Sequence, residues 1–511
     1  FTQTLGWEGN FRDKHHIGLM VGQDYQEFYN DNFQAYKEGF YDNYHTDLNS
    51  ASGQVNAQAT GSSSREKLVS VFGRLSYDYK QRYLVSAVFR YDGSSRLAPD
   101  HRWAFFPSVS LAWRIDQENF MKNVKFIDQL KPRFSWGKMG NQAVSLYSYL
   151  STVNTSGYDY SFEGTKYGGA AVSALADNTI TWEKTTSYDA GIDFSAFGNR
   201  VILSADWFLK RTEGILRTVN LPSQVGDLSG PKSNVGVVDN KGVELSLALR
   251  DTWGDFSAGV SGNFSYTRNE IVDLDGETEI SGRLICKEGY PINSWYLLQS
   301  DGVFQTQAEI DQAQAVYGNR SNLRPGYVKY VNQNNDSTID GNDRVIAGNT
   351  IPKFTYGFNI NFGWKGIAIE AQFQGVGDVS VYPSSNMAFG LYNGAGLTKQ
   401  WVKDSWSATN RNTKYPLLTT YPEAGENFQN STLWLQDASY LRLKNIQLSY
   451  TFPKKLVGRI GIKGLQVYVS GQNLVTFSDF KIWDPEISIS QANLFSYPIL
   501  KTVSFGINLT L

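Results

Sequence analysis

One cysteine, Cys286, is present in 511 residues, so no internal disulfide can hold this chain and its fold must rest on noncovalent pairing. No stretch approaches the roughly 18 apolar residues that a membrane-crossing helix needs, which excludes helical spanning. Charge of one sign is also missing: 47 Lys and Arg against 49 Asp and Glu leave a net charge of -2, and no basic surface for neutralising nucleic-acid phosphates. There is no nucleophile elbow, no HExxH and no glycine-rich phosphate loop, and scattered acidic pairs do not make a glycosidase dyad, so the chain does not read as an enzyme. No shift in composition marks a domain boundary, although the length alone would suggest two to four soluble domains. No secretory signal precedes Phe1, which opens inside a strand pattern, and an N-terminal part is therefore expected to be missing through processing or partial coverage.

What the chain has instead is alternation. Val503, Phe505, Ile507, Leu509 and Leu511 fall on one side of the last eleven residues, and Thr502, Ser504, Gly506, Asn508 and Thr510 on the other. Successive strand side chains point to opposite faces, so this is one apolar and one polar wall, long enough to cross a bilayer at a tilt. The pattern recurs at Phe354 to Trp364, at Ile367 to Phe373 after a Lys365-Gly366 turn, at Val243 to Leu249, at Phe256 to Tyr266, and at Leu75 to Tyr91. A transmembrane β-barrel keeps such a pattern hidden from averages, because only every second residue meets lipid while overall hydrophobic content stays at 41%. Aromatics reach 14%, and Tyr77, Tyr79, Tyr91, Trp113, Trp182, Trp364, Tyr450 and Phe452 sit at strand ends, as interfacial girdles require.

The expected fold is all-β: a transmembrane antiparallel up-and-down β-barrel of about 15 strands. They lie near 1–11, 14–28, 66–80, 82–93, 102–115, 129–140, 179–197, 200–217, 235–250, 255–270, 353–364, 367–377, 438–452, 464–477 and 501–511. Short turns (Arg12-Asp13, Lys80-Gln81, Gly198-Asn199, 251–254, Lys365-Gly366) alternate with long connections at about 29–65, 141–178, 271–352, 378–437 and 478–500. Such asymmetry suits a barrel with periplasmic turns and extracellular loops. The first and last strands then run inward, so an odd number of strands is expected upstream, since single-chain bacterial barrels have an even total.

Several motifs carry a family likeness. They are YLRLKNIQLSYTFP from Tyr440 to Pro453, VYVSGQNL from Val467 to Leu474, WDPE from Trp483 to Glu486, RYDGSSR from Arg90, RWAFFPS from Arg102, WEKTT from Trp182, NKGVEL from Asn240 and GNTIP from Gly348. In this order the chain resembles the C-terminal barrel of the SusC/RagA family of TonB-dependent outer-membrane transporters of Bacteroidetes. The resemblance implies an outer-membrane location, and a barrel of about 22 strands around an N-terminal plug, with the plug and about seven strands lying before Phe1. It implies a SusD-like surface lipoprotein as lid, TonB acting through the plug, and oligosaccharide cargo, or peptide in some members. A dimer of transporter–lipoprotein pairs is compatible with it.

Residue by residue, the sharpest candidate is the loop Asn332 to Asp343. Asn332, Asn334, Asp336, Asp340 and Asp343, with the Thr338 carbonyl, have the spacing of an EF-hand-type calcium loop, except that Ser337 replaces the turn glycine and Asp343 the bidentate Glu. A structural Ca²⁺ is one reading and a polar turn cluster the other. Trp295, Tyr296, Tyr382, Tyr392, Trp401, Trp406, Tyr415 and Tyr421 in the long connections could stack on sugar or on a lid protein, or pack on themselves. Arg74, Asp78, Asp206, Glu244, Arg250, Glu370, Arg442 and Lys444 belong to polar faces, since an Arg or Lys at the lipid midplane would cost about 2–4 kcal/mol. At Asn445 the alternation slips, which signals a β-bulge. His15 and His16, adjacent on a strand, point to opposite faces and make no metal pair. Two rivals remain open: a surface barrel that binds glycan or host protein without transport, and a soluble sandwich whose apolar walls face each other.

Overall fold

Strands with one apolar and one polar face need partners edge to edge, and hairpins supply them in chain order. The computed structural model describes residues 1–52, 56–155, 157–219, 221–222, 224, 230–313, 315–317, 322–384, 388–420, 426–486 and 497–511. Its long strands are β1 (Thr2–Phe11), β2 (His15–Tyr36), β3 (Gln58–Tyr79), β4 (Tyr83–Ser94), β5 (Trp103–Trp113), β6 (Ile127–Asn141), β7 (Glu183–Ala196) and β8 (Val201–Glu213). They continue with β9 (Val237–Trp253), β10 (Phe256–Asp273), β11 (Phe354–Trp364), β12 (Ile367–Gly377), β13 (Tyr440–Thr451), β14 (Gly464–Ser478) and β15 (Thr502–Thr510). The hydrogen-bonded order of this 15-stranded sheet is the order of the chain, as an up-and-down barrel wall requires. By contacts the chain divides into two units, one of residues 1–117, 133–189 and 210–237, the other of 118–132, 190–209 and 238–511.

In the first unit the turns after β1 and β3 hold Arg12 and Asp13 at φ 50° and 51°, and Lys80 and Gln81 at φ 53° and 54°. Two successive positive φ values give the primed turn whose twist matches that of its strands. Next to these turns, Phe11, His15, Tyr79, Tyr83 and Trp113 stand in register across β1 to β5. Neighbouring rings lie 4.9 Å apart for His15–Tyr79 and 6.3 Å for both Tyr79–Tyr83 and Tyr83–Trp113, forming an aromatic row at one rim. Towards the opposite strand end Tyr91 stacks on Trp103 at 5.0 Å. Trp182 is a correction to the girdle expectation. It is buried with Leu97, Ala98, Phe106, Val144 and Ile180, and its indole N–H donates to the Arg102 carbonyl at 2.7 Å.

β2 and β3 also run further than expected, pairing continuously from His15↔Tyr79 to Tyr36↔Gln58. Residues 29–36 and 58–65 lack apolar alternation, so the periodicity ends early while the ribbon continues. Backbone pairing needs no apolar face where both sides meet water.

In the second unit Phe256, Trp364, Ile367, Tyr450, Val467 and Ile507 form one cross-strand row. The register of β13 shifts between Leu443 and Asn445 against β14, and between Gln372 and Phe373 on β12, so the bulge lies where alternation slips, with Lys444 as the extra residue. The long connections are not structureless. They carry short strands, the helices Gln307–Ala313 and Lys399–Asp404, and two apolar clusters, one around Trp295, Tyr382, Trp401 and Trp434, the other around Phe304, Tyr317, Tyr327 and Tyr330.

Apolar side chains of the wall meet no such cover. Leu75, Val243, Leu245, Leu247, Leu249, Phe362, Ile369, Val503, Phe505, Ile507, Leu509 and Leu511 are exposed, Phe505 to 83%. The apolar clusters lie among loops and strand ends rather than between stacked sheets, which removes the soluble-sandwich reading. No helix is long and apolar enough to cross a membrane, among the described residues. An exposed apolar band on a continuous sheet is the surface that a bilayer covers. Phe505→Arg should therefore impair barrel assembly, at a cost of about 2–4 kcal/mol if it sits near the midplane. The check is the amount of heat-modifiable, membrane-integrated protein, and a normal amount would overturn the lipid-facing assignment.

Candidate functional site

Polar side chains of the wall share the face opposite the apolar band. In the first unit one row reads Gly18, Ser76, Ser86, Ser110 and Ser135, and the next His16, Asp78, Leu84, Ala112 and Arg133. Arg74 pairs with Met20 on one side and Val88 on the other, on that same face. Arg133 reaches Asp189 at 3.2 Å, and Arg90 donates to Asp92 at 2.8 Å and to the buried Ser70 at 2.7 Å. His15 and His16 separate as expected: the His15 ring contacts the Tyr77 hydroxyl at 2.9 Å and His16 the Asn10 side-chain oxygen Oδ1 at 2.8 Å.

The second unit's polar face is mostly amide and hydroxyl, with Asn361, Glu370, Gln447, Ser470 and Ser504 in one row. Glu244 is exposed on β9, and Arg250 lies at the rim, its Nε donating to the Asn199 carbonyl at 3.0 Å. Asp206 lies within β8 and has an interaction partner. Lys131 meets Asp193 at 2.7 Å.

Arg442 and Lys444 make the densest charged constellation. Arg442 precedes the β13 bulge, Lys444 is its extra residue, and both meet the WDPE segment, 42 residues away in sequence. Arg442 is almost fully buried. Its Nε donates to the Thr476 hydroxyl at 2.9 Å, one terminal nitrogen to Asp484 at 2.8 Å, and the other lies 3.0 Å from Glu486. Lys444 donates to both Glu486 carboxylate oxygens at 2.7 and 2.9 Å, and Asp484 also accepts the Glu486 backbone N–H at 2.9 Å. Burying a guanidinium costs several kcal/mol unless its charge and donors are met; here the Thr476 hydroxyl and Asp484 accept from two of its nitrogens, while Glu486 balances the charge of the third without an aligned hydrogen bond. The bulge and the two cations thus tie the segment around 483–486 to the wall. The motif was visible in the sequence, but its binding partner was not.

The loop aromatics turn out differently from a contact surface. Trp295, Trp401 and Trp406 are 4, 3 and 8% exposed, so they pack inside the loop lobe instead of facing a ligand or lid. Their indole N–H groups donate to the Ser380 carbonyl at 2.9 Å, the Ala388 carbonyl at 3.0 Å and the Gln305 side chain at 3.0 Å. Trp401 stacks on Tyr415 at 4.4 Å. Loops standing in water need a core, and large aromatic rings supply it at low entropy cost. Tyr382 is buried under the Arg283 guanidinium, 4.4 Å from its ring, and burial pushes its phenol up to about 12 against the pull of that cation. Burial raises the Tyr415 phenol as well. Tyr392 packs edge-on to Phe389. Tyr296 is half-exposed, with Arg344 5.9 Å from its ring. Tyr421 lies outside the described residues.

The acidic loop is closed by its own hydrogen bonds. Asp336 accepts the Thr338 backbone N–H at 2.7 Å and the Asn334 amide at 2.7 Å, which hold its carboxyl below the usual range. Asp343 is fully buried and accepts the backbone N–H groups of Gln333 and Asp340, each at 2.8 Å. Asp340 caps the turn at the Asn342 N–H, 2.7 Å away, and Asn332 donates to the Asp336 carbonyl at 2.7 Å. Among the described residues, no three His, Cys, Asp or Glu side chains gather so as to hold a metal.

Comparison with known proteins agrees with this architecture. Residues 1–474 match the family described as TonB dependent receptor-like, beta-barrel. The chain is 32% identical to TonB-dependent receptor P3 of Formosa agariphila, over 97% of this chain and 50% of that protein. It is 28% identical to TonB-dependent receptor SusC of Bacteroides thetaiotaomicron, over 96% of this chain and 48% of that one. The chain thus spans about half the length of the curated relatives it matches. Among solved structures it is similar to the RagAB peptide transporter, with a TM-score of 0.82 at 24% identity, covering 99% of this chain and 55% of that chain. For the RagAB peptide importer in the open-open state the TM-score is 0.82 at 25% identity, covering 100% and 54%.

Removal of the buried guanidinium tests the Arg442 tie. Arg442→Ala strands the partly buried Asp484 and leaves Glu486 to Lys444 alone, and the loss of anchoring should be on the order of 3 kcal/mol. Limited proteolysis should then cut near 479–486 while the heat-modifiable barrel persists, and Arg442→Lys should restore protection only in part, because an ammonium cannot fork. Unchanged protection in Arg442→Ala would remove the anchoring role.

Proposed function

The chain belongs to the TonB-dependent receptor-like β-barrel family of outer-membrane proteins, and on that premise we propose that it is barrel wall of a SusC/RagA-type importer for oligosaccharides. In this reading TonB energises uptake through a plug, a SusD-like lipoprotein closes the outside, and such pairs can dimerise. The role is transport, not catalysis.

The observation that supports a neutral, hydroxyl-rich cargo is the character of the polar face. Its serine and amide rows, Glu370 apart, offer uncharged hydrogen-bonding groups, and Arg90, Arg133, Lys131, Arg442 and Lys444 each have a carboxylate partner within the wall or its tied loop. A cargo of fixed charge would have to displace those partners, whereas sugar hydroxyls donate and accept alongside them. Peptide is the second reading, and the likeness to a solved peptide importer favours it.

Cells that carry the full-length protein, with and without TonB, should be given a labelled oligosaccharide mixture and a labelled oligopeptide mixture. TonB-dependent loss of oligosaccharide from the medium is the expected result. TonB-dependent loss of peptide alone would transfer the assignment to peptide, and surface binding that ignores TonB would favour an adhesive barrel.

A bracing Ca²⁺ at 332–343 is a separate part of the proposal and rests on oxygen spacing. The ion would take over oxygens of Asp336 and Asp340 that now accept hydrogen bonds within the loop. Calcium should raise the protease resistance of this loop in the native protein and leave Asp336→Ala unchanged. An indifferent native loop in saturating calcium rejects the ion.

A further inference from the structure

At the turn end of the second unit, the connection between β13 and β14 differs from its neighbours. Where β11 and β12 are joined by Lys365 and Gly366 alone, this one folds into a small cap over Pro453 to Lys463. The cap is internally bonded: Leu456 donates its N–H to the Pro453 carbonyl at 2.9 Å, Ile462 to Val457 at 3.3 Å, and Lys463 to Thr510 of β15 at 2.8 Å. Val457 is buried and fixes it from below. Outward it presents Lys454, Lys455, Arg459 and Lys463, all exposed, and within these eleven residues there is no acidic side chain. Four cations in one cap stand out in a chain whose net charge is -2. The acids of the β9–β10 turn, beyond the β11–β12 turn, are engaged elsewhere, Asp251 with Arg200 at 3.1 Å and Asp255 with Lys365 at 4.0 Å.

The cap's level in the membrane follows from the row above it. Tyr450, whose ring meets Phe452 edge-on at 4.8 Å, belongs to the cross-strand row with Trp364, and Lys365 lies 5.5 Å from the Trp364 ring. Aromatic rings at a strand end, with lysine ammoniums just beyond them, mark the headgroup boundary. Among the four cations Leu456 is exposed to 54%, an apolar side chain largely without protein cover. We infer that the Pro453–Lys463 cap binds anionic phospholipid headgroups of the leaflet on the turn side, with Leu456 dipping below the phosphates. Phosphate accepts several charge-assisted hydrogen bonds from Lys and Arg, while a zwitterionic headgroup carries its own amine to compete for them. This inference rests on the outer-membrane barrel and is independent of the cargo.

Native mass spectrometry of the full-length protein, purified in mild detergent and titrated with phosphatidylglycerol or phosphatidylethanolamine, reads it directly. The native protein should prefer phosphatidylglycerol by at least about fivefold. The variant Lys454→Gln/Lys455→Gln/Arg459→Gln/Lys463→Gln should fall to near parity, and Lys454→Arg/Lys455→Arg/Lys463→Arg should keep the preference. Heat-modifiable mobility reports folding. If the quadruple variant fails to fold, the pairs Lys454→Gln/Lys455→Gln and Arg459→Gln/Lys463→Gln replace it, each expected to lose part of the preference. No preference in the native protein, or one that survives neutralisation, overturns the inference. TonB-dependent uptake measured on the same variants separates this outcome from failure of the transport reading.

Discussion

Backbone pairing between neighbouring strands is the interaction on which the rest of this molecule depends. In hydrocarbon an unpaired N–H or C=O costs several kcal/mol, so a chain without an apolar helix can cross only by giving every backbone group a partner on the next strand. Once the ladder is in place, the two-residue period sends alternate side chains to opposite faces without further instruction. Leu245, Leu247 and Leu249 then need no protein neighbours, because lipid covers them, and Ser86 and Ser110 need no apolar environment, because they never meet lipid. The aromatic rows at the turns follow from the same register, since residues that end successive strands lie side by side.

Beyond the ladder, different physics takes over. Loops that stand in water cannot borrow lipid as a core, and the connections 271–352 and 378–437 build one from Trp295, Tyr382, Trp401 and Trp434. The Arg442 constellation joins the two regimes. A bulge at the end of the regular part of β13 adds Lys444 without a ladder partner, beside Arg442, and the WDPE segment brings carboxylates to both. A buried ion cluster of this kind is a poor source of net stability, since desolvation offsets much of its attraction. Its value is positional: Asp484 meets Arg442, and Glu486 meets both Arg442 and Lys444, so these contacts hold the segment against the wall.

How much was legible in the sequence follows from the same division. The strands, their number, the short turns and the bulge were readable, because period two is local and survives wherever one face is lipid and the other is not. The slip from Leu443 to Ile446 appeared in the sequence for that reason and recurs as a register shift. Residues 29–36 read as loop because both faces of that ribbon meet water and nothing forces alternation on YNDNFQAY. The lobe was illegible in another way. Exposed aromatics for contact and buried aromatics for a core have the same composition, and only the fold places Trp401 on Tyr415. Trp182 sits at a strand end like a girdle residue, yet its indole is satisfied by Arg102, a partner 80 residues away that no local pattern announces. The pairing of Arg442 with Asp484 was hidden by the same kind of distance.

Pairing is the common rule for charge on the polar face. There Arg133 has Asp189 and Arg90 has Asp92, so much of the charge on that face is balanced within the chain. At the turn rim the rule lapses in the Pro453–Lys463 cap, where four cations share no acid. Mutual repulsion among exposed cations is screened over about 8–10 Å of salt water, so the cap folds despite it. Counter-charge from outside the chain strengthens such a cluster beside an aromatic row, and the headgroup layer at that level is a phase that supplies it.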